Sequence, residues 1–215
     1  MKFLLLTGLV LAAATARAEL ITFDDLPSGT TLGNQYAGAT FTPGIGGLTV
    51  PTLPPFMVAP GPWATNTDMT VGPSTDASIR EPLSGNVVRT VMGHIAENGD
   101  PAFTITFAQP IASMSLDLGG FRVGGNYYGK LYAFRGDSST HFAEASATLG
   151  SHWGQTLSLS NLSGATKIVV VPGHRDDHVS FDNLRYTTSV PEPASLAVLG
   201  LGGLALLKRR RKSRR

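Results

Sequence analysis

The chain has 215 residues and no cysteine, which excludes a disulfide framework, a thiolate zinc site, an iron–sulfur cluster and a cysteine nucleophile. The formal net charge of +2 conceals a segregation: Lys2 and Arg17 lie in the first 18 residues, seven of the last eight residues are Lys or Arg, and residues 19–190 hold 14 acids against 8 Lys/Arg, a net of −6. A nucleic-acid-binding protein carries its basic excess on the folded part. Here the excess sits at the two ends, so nucleic acid is excluded as a partner of the body.

Met1–Ala18 predicts a secretory signal peptide. Lys2 is the positive start, Phe3–Ala14 the apolar stretch, and Ala16-Arg17-Ala18 an A-x-A cleavage site. The alternative is a buried N-terminal helix. With the leader removed, the mature chain begins at Glu19.

Residues 19–190 predict one β-rich domain, because short alternating or β-branched runs are separated by Gly, Pro, Asn and Ser clusters. Strands are expected at Leu20–Phe23, Ala39–Thr42, Val87–Met92, Phe103–Phe107, Ile111–Leu118, Lys130–Phe134, His141–Ala147, Thr156–Leu159, Lys167–Val171 and Val179–Tyr186. Phe103, Ile105 and Phe107 alternate with Thr104 and Thr106, which gives one buried and one wet face. Met114, Leu116 and Leu118 alternate with Ser113, Ser115 and Asp117 in the same way. Gln109-Pro110 between these two runs reads as a tight connection joining an antiparallel pair. The expected fold is an all-β, antiparallel two-sheet sandwich, jelly-roll-like. Residues 43–81 interrupt the pattern with seven of the chain's 14 prolines and read as a long Pro/Gly-rich loop, either functional or disordered.

Phe23-Asp24-Asp25-Leu26 near the start of the body is echoed by Phe181-Asp182-Asn183-Leu184 at its end. First and last strands lying side by side would gather Asp24, Asp25, Asp182 and Asn183 at one sheet edge, with Phe23 and Phe181 pointing to the core. Those oxygens suit a structural calcium ion, which takes carboxylate, amide and carbonyl ligands. The competing reading is that they cap turns. His174-Arg175-Asp176-Asp177-His178 has a His pair at i, i+4, but Pro172-Gly173 before it and a β-run after it indicate a hairpin turn, not a zinc-binding helix. Asp24/Asp25 and Asp176/Asp177 are adjacent in sequence, so on a strand each pair would face opposite ways, which does not support a glycosidase dyad. No nucleophile elbow, P-loop or dinucleotide fingerprint occurs. The chain therefore reads as non-enzymatic, with no catalytic residues.

Exposed aromatic rings can stack against sugars. Trp63 in the Pro/Gly loop and Trp153 in a turn at Gly150–Gly154 are the candidate ligand contacts, with Tyr127-Tyr128 after Gly124-Gly125. The alternative is that these rings pin their loops to the core. Asn161-Leu162-Ser163 matches a glycosylation sequon by pattern.

The C-terminal end has three parts: Pro191-Glu192-Pro193, an apolar run from Ala194 to Leu207 with six leucines and three glycines, and the basic residues Lys208–Arg215. As a helix the run would span about 21 Å, short of a bilayer core of about 30 Å. It suffices to pause a translocating chain in the inner membrane, with the basic end held on the cytoplasmic side. The three parts together resemble the PEP-CTERM sorting domain, and the resemblance is confined to this tail. It implies secretion by a Gram-negative bacterium that makes exopolysaccharide. It also implies recognition of Pro191, Glu192 and Pro193 by the membrane enzyme exosortase, stop-transfer by Arg209, Arg210 and Arg211, and removal of the tail. The expectation is a secreted surface or matrix protein whose body associates with exopolysaccharide. The alternatives are a structural surface protein without a specific ligand and a secreted glycan hydrolase.

Overall fold

The computed structural model describes residues 16–51, 68–74, 83–91, 102–121, 127–149, 152–171 and 178–189. Residues 1–15, Trp63, residues 172–177 and the sorting tail lie outside them. Residues 18–189 form one compact unit.

Ten strands follow one another: β1 (Ala18–Ile21), β2 (Ala39–Pro43), β3 (Asp68–Pro73), β4 (Asn86–Val91), β5 (Phe103–Phe121), β6 (Tyr127–Arg135), β7 (Ala143–Leu149), β8 (His152–Leu159), β9 (Ala165–Val171) and β10 (His178–Thr188). All strand pairs are antiparallel. They form a sandwich of two layers joined through β5. The first layer runs β3-β4-β10-β5-β8, with β1 added to β10 beside β4. The second runs β2-β5-β9-β6-β7.

The long strand β5 corrects one expectation. Phe103–Phe107 and Ile111–Leu118 do not form a hairpin; they are two halves of a single 19-residue strand. The first half lies between β2 and β9, and the second between β10 and β8. Pro110 has no N–H to give to a ladder, and the pairing with β9 shifts register between Thr106 and Ile111. The inward residues change phase across this kink, from Phe103, Ile105, Phe107 and Ile111 to Met114, Leu116 and Leu118, all buried. One strand thereby serves both layers.

The expected loop at 43–81 is also partly structured. Asp68–Pro73 is strand β3, paired with β4 from Asp68↔Val91 to Pro73↔Asn86. Pro73 is tolerated because β3 is an edge strand. The connection between β9 and β10 is not a hairpin either: β9 pairs with the first half of β5 and β10 with the second, so residues 172–177 join the two layers.

The main core lies between the layers. Phe103 and Phe181 stack at 4.5 Å, and Phe23 meets Phe181 edge-on at 5.6 Å and Phe41 at 5.9 Å. Gly129 lets β6 approach the opposing layer, since a Cβ there would meet Leu118 and Leu157 at 3.2 and 3.4 Å. The second layer is covered on both sides. Leu131, Ala133, Ile168 and Val170 enter the main core, whereas Tyr132, Phe134, Val169 and Val171 form a second cluster with Leu48 and Val50. The Ile-Val-Val-Val run of β9 is therefore apolar at every position, as a strand buried on both faces requires.

Candidate functional site

The two echoing segments do meet. β1 pairs with β10 from Ala18↔Thr187 to Ile21↔Leu184. Past β1 the chain turns at Phe23, whose φ of 59° is unusual for a bulky residue, and Asn183 takes φ 49° in the irregular stretch of β10. The Phe23 ring is fully buried against Phe181, Phe41 and Tyr36, and this packing offsets the backbone strain.

Each acidic side chain at this corner is engaged by partners of its own. Asp24 Oδ1 accepts the Asn86 N–H at 2.7 Å. Asp25 turns away and accepts the Tyr36 hydroxyl at 2.6 Å, and burial together with Asp25 raises the pKa of that phenol. Asp182 is 1% exposed and accepts the Asn183 N–H at 2.6 Å, the Ser84 N–H at 3.3 Å and the Asn183 side-chain amide at 3.1 Å. Gly85 fits between Asp24 and β4 only because it lacks a Cβ, which would collide with the Asp24 carboxylate. Among the described residues no three His, Asp or Glu side chains are grouped so as to hold a metal ion. Calcium at this corner is thus a proposal resting on Asp24 and Asp182.

A second buried carboxylate lies directly across the ladder from Asp182. Asp117 of β5 is 2% exposed and pairs in register with Asp182. Its Oδ1 accepts the Thr156 hydroxyl from β8, and its Oδ2 meets Arg185 Nη1 at 3.2 Å. Arg185 Nη1 also donates to the Asn183 carbonyl at 3.2 Å, and the Arg185 side chain is 48% exposed. Like charges directly opposite in a ladder are unfavourable, and one arginine cannot neutralise two carboxylates. Burial, with Asp24 and Asp117 nearby, pushes the Asp182 carboxyl up to about 6, although its two backbone hydrogen bonds oppose the shift. Such perturbed groups concentrate at functional sites.

Around this pair the outward face of β8-β5-β10 is a field of hydroxyls. The register aligns Ser158 with Ser115 and Ser115 with Arg185, and one row on it aligns Thr156 with Asp117. Thr156, Ser158 and Arg185 are exposed, and Ser113, Ser115 and Thr187 are half-buried. Sequence reasoning missed Asp117, Arg185, Thr156 and Ser84. The signal available was the Ser113, Ser115, Asp117 alternation, which marks an outward face but gives no sign that Arg185 would cover the last of them. The expected aromatic contacts fall elsewhere. Trp153 belongs to β8, opposite Gly120, and Tyr127-Tyr128 opens β6, so neither stands in a turn. His178 opens β10 opposite Phe121. Asn161 (φ 57°) lies in the β8–β9 connection.

Residues 189–212 match the PEP-CTERM protein-sorting motif, so the expected Pro191-Glu192-Pro193 signal is present; the motif implies exosortase processing and sorting to the cell surface. No curated protein matches the sequence. Among solved structures, the K1 cleaved adhesin domain of Lys-gingipain from Porphyromonas gingivalis W83 is similar over 82% of this chain and 99% of its own, at 11% identity and a TM-score of 0.43. The mannan-recognising carbohydrate-binding module TmCBM27 is similar over 82% of this chain and 100% of its own, at 11% identity and a TM-score of 0.40. A family 29 carbohydrate-binding module complexed with mannohexaose is similar over 70% of this chain and 93% of its own, at 14% identity and a TM-score of 0.36. These likenesses extend to the β-architecture and no further. The chain carries a PEP-CTERM sorting motif at the end of an antiparallel β-sandwich body.

Proposed function

We propose that the body is a non-enzymatic module which, after removal of leader and tail outside a Gram-negative cell, associates with exopolysaccharide. The observation that carries the reading is the covalent continuity of the last strand, β10, with the sorting motif that starts at residue 189. What is delivered to the surface is therefore the sandwich itself. The outward face of β8-β5-β10 supports a polysaccharide partner, because it presents Thr156 and Ser158 hydroxyls beside the half-exposed Arg185 guanidinium. Hydroxyls both donate and accept, and a guanidinium offers a planar fork of donors, a set that matches neighbouring hydroxyls on a sugar ring. Asp117 neutralises Arg185, and the body is acidic overall. This favours neutral over acidic polysaccharides. Trp63 and Trp153 remain proposed stacking contacts.

Affinity electrophoresis of the purified protein through gels containing the host's exopolysaccharide, a neutral glucan or a polyuronate tests this. Retardation by a neutral polysaccharide is expected, and its loss in Arg185→Gln. Unchanged mobility in every gel would leave a structural surface protein. Release of reducing ends would make it a hydrolase.

A further inference from the structure

The row of side chains that holds Arg185 continues past it onto β1. In register across four strands stand Ser158 of β8, Ser115 of β5, Arg185 of β10 and Leu20 of β1. At about 4.8 Å between neighbouring strands the row is about 14 Å long, roughly the length of three sugar rings. It lies on the outward face, because the next pair along, Ile21 and Leu184, is buried in the core. Ser158 and Arg185 are exposed, Ser115 is half-buried, and Leu20 is 56% exposed.

A lone exposed leucine is ordinary on a protein surface. This one is set apart by its place, one strand from the guanidinium and at the end of a polar row. Arg185 uses Nη1 for both of its contacts, with Asp117 and with the Asn183 carbonyl, so Nε and Nη2 have no partner among the described residues. The row therefore offers hydroxyls at one end, N–H donors in the middle and an aliphatic surface at the other end. A sugar ring has the matching chemistry, with hydroxyls on its rim and C–H groups on its faces. β8 pairs only with β5 and β1 only with β10, so no described strand closes the row at either end. A long polymer can cross it without terminating there.

We propose that the row Ser158–Ser115–Arg185–Leu20 binds the interior of a linear neutral polysaccharide, laid across the strands over about three sugars, with Leu20 packed on a sugar face. The proposal rests on the reading of the β8-β5-β10 face as a polysaccharide site. It extends that site onto β1 and gives it an apolar contact.

Wild type, Leu20→Ser, Leu20→Met and Arg185→Gln are compared by affinity electrophoresis in gels containing the host's exopolysaccharide or a neutral glucan. Size-fractionated oligosaccharides of two, three and six sugars, cut from the polymer that retards the wild type, then serve as competitors. The expected result is binding about fivefold to tenfold weaker in Leu20→Ser, and within about twofold of wild type in Leu20→Met, which keeps the apolar surface. The trisaccharide should compete about tenfold better than the disaccharide, for the added contact, and within about threefold of the hexasaccharide. Leu20→Ser binding like wild type while Arg185→Gln does not, or a disaccharide competing as well as the trisaccharide, overturns the proposal and leaves the polysaccharide reading standing. A wild type that no polymer retards overturns both. The thermal midpoint of Leu20→Ser should stay within about 2 °C of wild type, because the side chain is exposed on an edge strand. Should it fall further, the competition series on the wild-type protein decides alone.

Discussion

Replacing Asp182 by Asn should stabilise the protein at neutral pH and flatten its response to acid. The carboxylate is buried, faces Asp117 across the ladder and lies near Asp24, and its pKa is raised from 3.8 to about 6. A raised folded-state value means that the folded protein binds the proton more tightly than the unfolded chain. The stability tied to this group is therefore fully present below about pH 4 and is lost as pH rises through about 6. The displacement corresponds to about 3 kcal/mol at about 1.4 kcal/mol per tenfold change in proton affinity. Solvent near the exposed Asp24 screens part of this, and the amide forfeits one of the acceptors used by Ser84 and Asn183, at a cost of about 1 kcal/mol. A net gain of about 1–2 kcal/mol at pH 8 remains. For a body of this size that is a rise of about 2–8 °C in Tm. Thermal melts of wild type and Asp182→Asn between pH 4.5 and 8 should converge at the acid end and diverge at the alkaline end. A variant less stable than wild type by the same amount at every pH would refute the reasoning, since the carboxylate would then be a net stabilising partner.

Four further outcomes follow from the same geometry. Phe181→Ala removes the ring that meets Phe23, Phe41 and Phe103, and should cost about 3–5 kcal/mol in urea unfolding. Tyr132→Phe should be neutral or stabilising by up to about 1 kcal/mol, because the buried Tyr132 hydroxyl finds no hydrogen-bond partner among the described residues; a loss above about 1 kcal/mol would reveal a partner. Gly85→Ala forces a Cβ into the Asp24 carboxylate at a positive φ of 66° and should lower stability by about 1–3 kcal/mol, read by the urea midpoint. Calcium held between Asp24 and Asp182, as proposed, should raise the melting temperature by several degrees, and a chelator should reverse the rise; a midpoint unchanged by both would remove the metal from this corner.

Much of the sandwich was legible in the sequence. Alternation located the strands that have one wet face, and the Phe-Asp repeat foretold that β1 and β10 are neighbours, because two copies of one local pattern suit one environment. Other features were not legible. The kink at Pro110 reads as a turn in any local window; only the three-residue step from Ile111 to Met114, which switches the inward positions from odd to even, hints at one strand serving two layers. Strand β3 hid inside a Pro/Gly stretch, since an edge strand tolerates Gly72-Pro73. The Asp117–Asp182 pairing depends on residues separated by the whole β5–β10 register, and no spacing along the chain encodes it. The sorting tail was plain because its three parts are contiguous and each has its own physical role.

The central claim is that the chain is carried across the membrane, cut at both ends and freed as the sandwich body. The intact mass of the protein recovered outside the host cell tests it most directly. The account predicts a species that begins at Glu19 and lacks the basic residues Lys208–Arg215. A full-length species of 22.6 kDa recovered from the cytoplasm, with both ends intact, would contradict it.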